Sequence, residues 1–140
     1  MIPNYTIYSD KVMLTANYYI EYLGFSLLYK VEEDDNPYVW LELNNQFVLI
    51  WPWNNKLGIA KPVELEVPDI LEYYIRLSER TRINVPLSLG LEGQKKFSVL
   101  DCEDNVIQFI EQPSSAIYVP DGMASDDFAS DVEKKSVLEQ

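Results

Sequence analysis

Apolar and polar positions along the chain define short strands and two helices. Residues 38–43 and 46–51 alternate, with Val39, Leu41 and Leu43, then Val48 and Ile50, at every second position. That is the period of a half-buried strand. Residues 4–8 and 26–31 also read as strands. Between them, Leu14, Tyr18 and Tyr22 recur at helical spacing, as do Tyr19 and Leu23, predicting a helix over 13–23 that stops at Gly24. Glu32-Glu33-Asp34-Asp35-Asn36-Pro37 reads as an acidic turn, and Asn44-Asn45 as a tight hairpin turn. The pattern then starts again. A strand is predicted over 62–67, an N-cap at Asp69, a helix over 70–80, a short strand over 85–89, a loop from Gly90 to Gly93, and strands over 95–100 and 106–111.

The order is βαβββ twice. It predicts an α+β fold of tandem modules, spanning about 3–56 and 60–112, within one domain over 1–113. The helices share a string, Tyr18-Tyr19-Ile20 and Tyr73-Tyr74-Ile75, offset by 55 residues. Residues 114–140 differ in character. There Asp121, Asp126, Asp127, Asp131, Glu133 and Glu139 face only Lys134 and Lys135, and no apolar period is present. The segment reads as an acidic, flexible tail, or as one that packs on a partner through Ile117, Tyr118 and Phe128.

Three motifs stand in order along these modules. Tyr18-Tyr19 leads into Leu23-Gly24-Phe25. Glu66-Val67-Pro68-Asp69-Ile70 joins a strand to a helix. Asp101-Cys102-Glu103-Asp104-Asn105-Val106-Ile107-Gln108 forms the last turn and strand. Together they resemble the vicinal-oxygen-chelate superfamily of glyoxalases, bleomycin resistance proteins and extradiol dioxygenases. Cys102 stands where that family's signature has Pro, and Asp104 where it has Gly. Asp tolerates a left-handed turn position, so the hairpin survives. The resemblance implies that the two modules form a curved mixed-sheet cup. It also implies a divalent metal held by four strand residues, usually His, Glu or Gln. The four positions fall here on Asn4, Leu49, Pro62 and Gln108, and the chain contains no histidine. Such a set is not a competent transition-metal site. We therefore expect no metal, no cofactor and no metal-dependent catalysis, as in the metal-free bleomycin-resistance-like branch.

Composition narrows the partners. The 140 residues are 47% hydrophobic, enough for one core, and carry a formal net charge of −12. That charge opposes binding to nucleic acid and to anionic membrane surfaces, and favours cationic ligands. The single cysteine, Cys102, rules out an intrachain disulfide. No run approaches the roughly 20 apolar residues of a membrane span, and residues 1–5 lack the features of a secretory signal. A cytoplasmic location is the expectation.

Strand alternation assigns the face of the cup. With Val39, Leu41, Val48, Ile50, Val63, Leu65, Ile107 and Phe109 packed under the helices, the opposite face carries Asn4, Thr6, Tyr8, Tyr38, Trp40, Glu42, Phe47, Leu49, Trp51, Glu64, Glu66, Val106, Gln108 and Ile110. We take Tyr8, Tyr38, Trp40, Glu42, Phe47, Trp51, Glu64, Glu66 and Gln108 as ligand-binding candidates, with Trp51-Pro52-Trp53 as a groove wall. Aromatic faces and carboxylates both attract cations. The expectation is a small-molecule-binding protein that sequesters a cationic or aromatic ligand, resembling antibiotic-resistance proteins, and that works as a homodimer. Two alternatives stand beside it. One is a protein-interaction module of the same fold, with the tryptophans in the core or the dimer interface. The other is a metal-independent enzyme using Glu42, Glu64 or Glu66 as base.

Overall fold

The computed structural model describes residues 2–33, 35–52 and 62–113; Trp53 and the tail over 114–140 lie outside them. The first module runs β1 (Tyr5–Ser9), α1 (Val12–Glu21), β2 (Ser26–Val31), β3 (Tyr38–Leu43) and β4 (Gln46–Pro52). The second runs β5 (Val63–Val67), α2 (Ile70–Ser78), β6 (Arg82–Leu89), β7 (Lys95–Leu100) and β8 (Val106–Glu111). Each module makes a four-stranded mixed sheet, ordered β1-β4-β3-β2 and β5-β8-β7-β6. In both, the opening strand lies parallel to the closing one, while the remaining pairs are antiparallel.

The duplication is real, but the shared helix string is not its signature. Val12 opens α1 and Ile70 opens α2, 58 positions later. The same step relates the buried pairs Val39 and Phe97, and Leu41 and Val99. At an offset of 55, half-buried Tyr18 would answer to buried Tyr73, and buried Tyr19 to half-buried Tyr74. The two strings therefore present opposite faces, and their likeness is coincidental.

Residues on the helix-facing side of each sheet form one core with the helices. Ile7, Tyr19, Leu23, Leu41, Val48, Ile50, Leu65, Val99, Ile107 and Phe109 are all fully buried within it. The turns follow their side chains. Asn44 and Asn45 take positive φ (51° and 63°), as a two-residue hairpin requires. Asp104 also takes a positive φ, 66°, in the turn where the sequence motif has Asp for Gly. Asp69 caps α2, its Oδ1 accepting from the Glu72 N–H at 3.2 Å.

One strand is longer than its pattern predicts. β6 begins at Arg82, and its pairing with β7 is irregular between Ile83 and Val85 and between Val85 and Ser88. Asn84 and Pro86 interrupt the alternation. An outer strand tolerates both, because Pro costs no ladder bond where its nitrogen faces away from the sheet.

Side chains join the modules. The Gln46 amide pairs with the Glu66 backbone as another strand would: Nε2 donates to the Glu66 carbonyl at 2.9 Å and Oε1 accepts its N–H at 2.8 Å. The Tyr5 hydroxyl donates to the Glu64 carbonyl at 2.7 Å. On the helix side, the Tyr73 hydroxyl donates to the Leu23 carbonyl.

Candidate ligand-binding site

The nine candidate residues fall into two sets, one on the outer face of each sheet. On the first sheet, Tyr8 sits in register with Trp51 across the parallel β1–β4 pair. Trp40 is in register with Leu49, and Leu49 with Thr6. Tyr8, Tyr38, Trp40, Phe47 and Trp51 are each half-buried, whereas their neighbours Ile7, Val39, Leu41, Val48 and Ile50 are buried. The tryptophans therefore lie on the face away from the helices. Tyr38 and Trp51 stack with ring centroids 5.2 Å apart and planes at 29°.

The carboxylates are not equivalent. Glu42 is committed to its own hairpin, its Oε2 accepting the Asn45 N–H at 2.7 Å. Glu66 is half-buried, and its backbone is held by Gln46. Glu64 is exposed and accepts a hydrogen bond from Gln108 Nε2, which aims its carboxylate along the sheet. Ser98 continues that row in register with Gln108, and its Oγ accepts from Asn84 Nδ2 at 3.1 Å. The second sheet thus carries a polar row where the first carries an aromatic one. Glu64 also lines a cleft of about 280 Å³ with Gly90, Leu91, Glu92, Gln94 and Lys96. The Lys96 stem crosses Gly90 so closely that a Cβ there would meet its Cε at 3.2 Å.

Leu43, expected inside, is half-buried and packs against the core. Ile110, expected on the open face, is in register with Glu66 there, yet only 9% exposed.

Comparison with known proteins draws on shape alone. No family model and no curated relative matches the sequence. Solved structures do match. TioX from Micromonospora sp. ML1 superposes with a TM-score of 0.64 at 17% identity, over 76% of this chain and 94% of that one. A glyoxalase/bleomycin resistance protein/dioxygenase superfamily member from Sphaerobacter thermophilus gives 0.63 at 20% identity, over 76% and 93%. The chain has the fold of the vicinal-oxygen-chelate superfamily. Lactoylglutathione lyase from Agrobacterium tumefaciens shares it too, with a TM-score of 0.60 at 15% identity over 79% of this chain and 92% of that one. The fold itself therefore does not choose between enzyme and binder.

Of the four positions that the superfamily resemblance assigns to a metal, two are engaged elsewhere in this chain and two carry no donor side chain. Asn4 extends the β1–β4 ladder: its N–H donates to the Phe47 carbonyl at 2.8 Å, and its Oδ1 accepts the Phe47 N–H at 2.6 Å. Leu49 offers only an alkyl side chain, and Pro62, just ahead of β5, offers no donor. Gln108 is turned to Glu64. This donor set does not fit a divalent transition metal. Among the described residues, no group of three or more His, Cys, Asp or Glu side chains is placed to hold one. Nor is any helix among them long and apolar enough to cross a membrane.

Sequence reasoning missed Tyr29, an aromatic on the same face as Trp40. The two are in register across β2 and β3. The pairing shifts between Leu27 and Tyr29, so simple alternation along residues 26–31 does not reveal which way Tyr29 points.

Proposed function

We propose that this protein binds and sequesters a small, flat, cationic or aromatic molecule without a metal, a cofactor or covalent chemistry. The observation that carries the reading is the replacement of the superfamily's ligand positions by Asn4, Leu49, Pro62 and Gln108, beside an aromatic face of Tyr8, Tyr38, Trp40 and Trp51. Aromatic faces attract cations by about 0.5–2 kcal/mol. Glu64 and a net charge of −12 add long-range attraction. In use this resembles antibiotic resistance by sequestration. We also expect a cytoplasmic homodimer. Its support is the exposed apolar side chains of the outer strands, Leu27 and Leu28 on β2 and Val85 and Leu89 on β6, which a second copy would cover.

The test is native mass spectrometry of the purified full chain for a retained molecule, followed by fluorescence titration with an aromatic cation and its neutral isostere. Saturable quenching by the cation, weaker for the isostere, is expected. Equal indifference to both overturns the reading. Sedimentation as a monomer at micromolar concentration overturns the dimer.

A further inference from the structure

The two helices occupy equivalent places in their modules but carry charge in opposite senses. α2 follows the dipole of a helix: Asp69 caps its start, Glu72 lies in its first turn and Arg76 in its last. α1 reverses it. Lys11 stands at the cap position, where α2 has Asp69, and makes no side-chain cap. Asp10 precedes it, but no acid lies in the first turn and no base in the last, and Glu21 closes the helix. Arg80 donates to the Glu21 carbonyl at 2.8 Å, which serves the backbone and not the carboxylate. Among the described residues, neither Lys11 nor Glu21 forms an ion pair.

Between these two charges the outer side of α1 is apolar. Leu14, Tyr18 and Tyr22 recur at every fourth residue. With Lys11 and Glu21 they line a groove of about 460 Å³, whose far wall includes Cys102 of the β7–β8 turn. Leu14 is 66% exposed and Tyr22 42%. The groove lies on the helix side of the sheet, away from the aromatic face.

An antiparallel copy of the same helix supplies what α1 lacks. With a two-fold axis level with Ala16, Lys11 falls opposite Glu21 of the second copy and Leu14 opposite its Tyr18, and each pairing occurs twice. The acid then reaches the positive end of the facing helix and the base its negative end, as α2 arranges for itself.

We propose that α1 is a self-association surface, packing antiparallel on α1 of a second copy of this chain, with a Lys11–Glu21 pair at each end. The contact is separate from the ligand reading and from the outer strands β2 and β6. A helix of ten residues spans only about 15 Å, less than a standard interface of about 800 Å² per partner needs, so the association is weak and concentration-dependent.

The full chain and the variants Lys11→Glu and Glu21→Lys are compared by sedimentation equilibrium at low salt, from micromolar to submillimolar concentration. Each variant should weaken the association about five- to fiftyfold, because two attractive pairs become two repulsive ones. Net charge does not produce this pattern, since one variant raises the net negative charge and the other lowers it. An equimolar mixture of the two variants should associate as the parent does, each meeting its opposite charge. Both should melt at or above the parent's temperature, because each change agrees with the helix dipole, so weaker association is not loss of fold. Parent, variants and mixture of one mass at every concentration overturn the α1 contact; if that mass is a dimer's, the outer-strand reading stands. Variants that associate less but are not rescued by mixing overturn the antiparallel pairing and set a different surface of the second copy against the groove.

Discussion

The Tyr19 hydroxyl donates to Asp101 Oδ2 at 2.7 Å, joining the first helix to the last turn across 82 positions of sequence, with both residues fully buried. Asp101 also receives the Glu103 N–H and the Asn105 N–H on Oδ1, each at 2.9 Å, and Asn105 Nδ2 on Oδ2 at 3.1 Å. One carboxylate thus shapes the β7–β8 turn and fastens it to the other module. Removing a partner from such a group leaves buried polar atoms unpaired, which costs more than the bond itself contributes.

Tyr19→Phe should therefore destabilise the fold by about 1.5–3 kcal/mol, and Asp101→Ala by about 3–5 kcal/mol. Urea unfolding of both variants checks this. An Asp101→Ala protein within about 0.5 kcal/mol of the parent would show the turn to be held by other means.

Alkaline pH should weaken the fold. Burial, then the Asp101 carboxylate, pushes the Tyr19 phenol well above its ordinary value of 10.0, and burial pushes Tyr73 up as well. A raised value means the folded state keeps protons that the unfolded chain releases. The contribution is complete below pH about 10 and is lost progressively above it. Unfolding free energy measured from pH 8 to 11 should be level at first and then fall. A rise above pH 10 would contradict the assignment, and Tyr19→Phe should flatten part of the decline.

Metal should be dispensable. Elemental analysis is expected to find no stoichiometric Zn, Ni, Mn or Fe, and a chelator should not move the melting temperature. A bound metal whose removal lowers the melting temperature would show that donors other than Asn4 and Gln108 are recruited.

Trp51→Ala should weaken aromatic-cation binding more than it weakens the fold. Trp51 is half-buried and stacked on Tyr38, so its loss should cost about 1–3 kcal/mol of stability, short of the roughly 3–5 kcal/mol of an aromatic removed from a full core. A variant that does not fold would place Trp51 with the core after all.

A chain ending at Pro113 should fold with an unchanged melting temperature, because residues 114–140 carry no apolar period and, among the described residues, the buried core runs from Ile7 to Ile110. A lower melting temperature or an altered oligomeric state on truncation would assign the tail a docking role.

The tandem plan was legible because it is written in local patterns. Period-two alternation at Val39 and Leu41, and at Val48 and Ile50, fixes which side of a strand meets the helices, and these side chains are the buried ones. The turns at Asn44-Asn45 and Asp104 were legible for the same reason, since few residues accept positive φ without strain. What depends on distant partners was not. That Asp101 holds Tyr19, that Gln46 pairs with the Glu66 backbone, and that Glu42 serves its own hairpin while Glu64 faces Gln108 are decided by which strands come to lie side by side. The placement of Tyr29 beside Tyr38 turns on a single register shift in an outer strand. A shift of that kind reverses a side chain without altering the residue pattern, so only the pairing of β2 with β3 determines it.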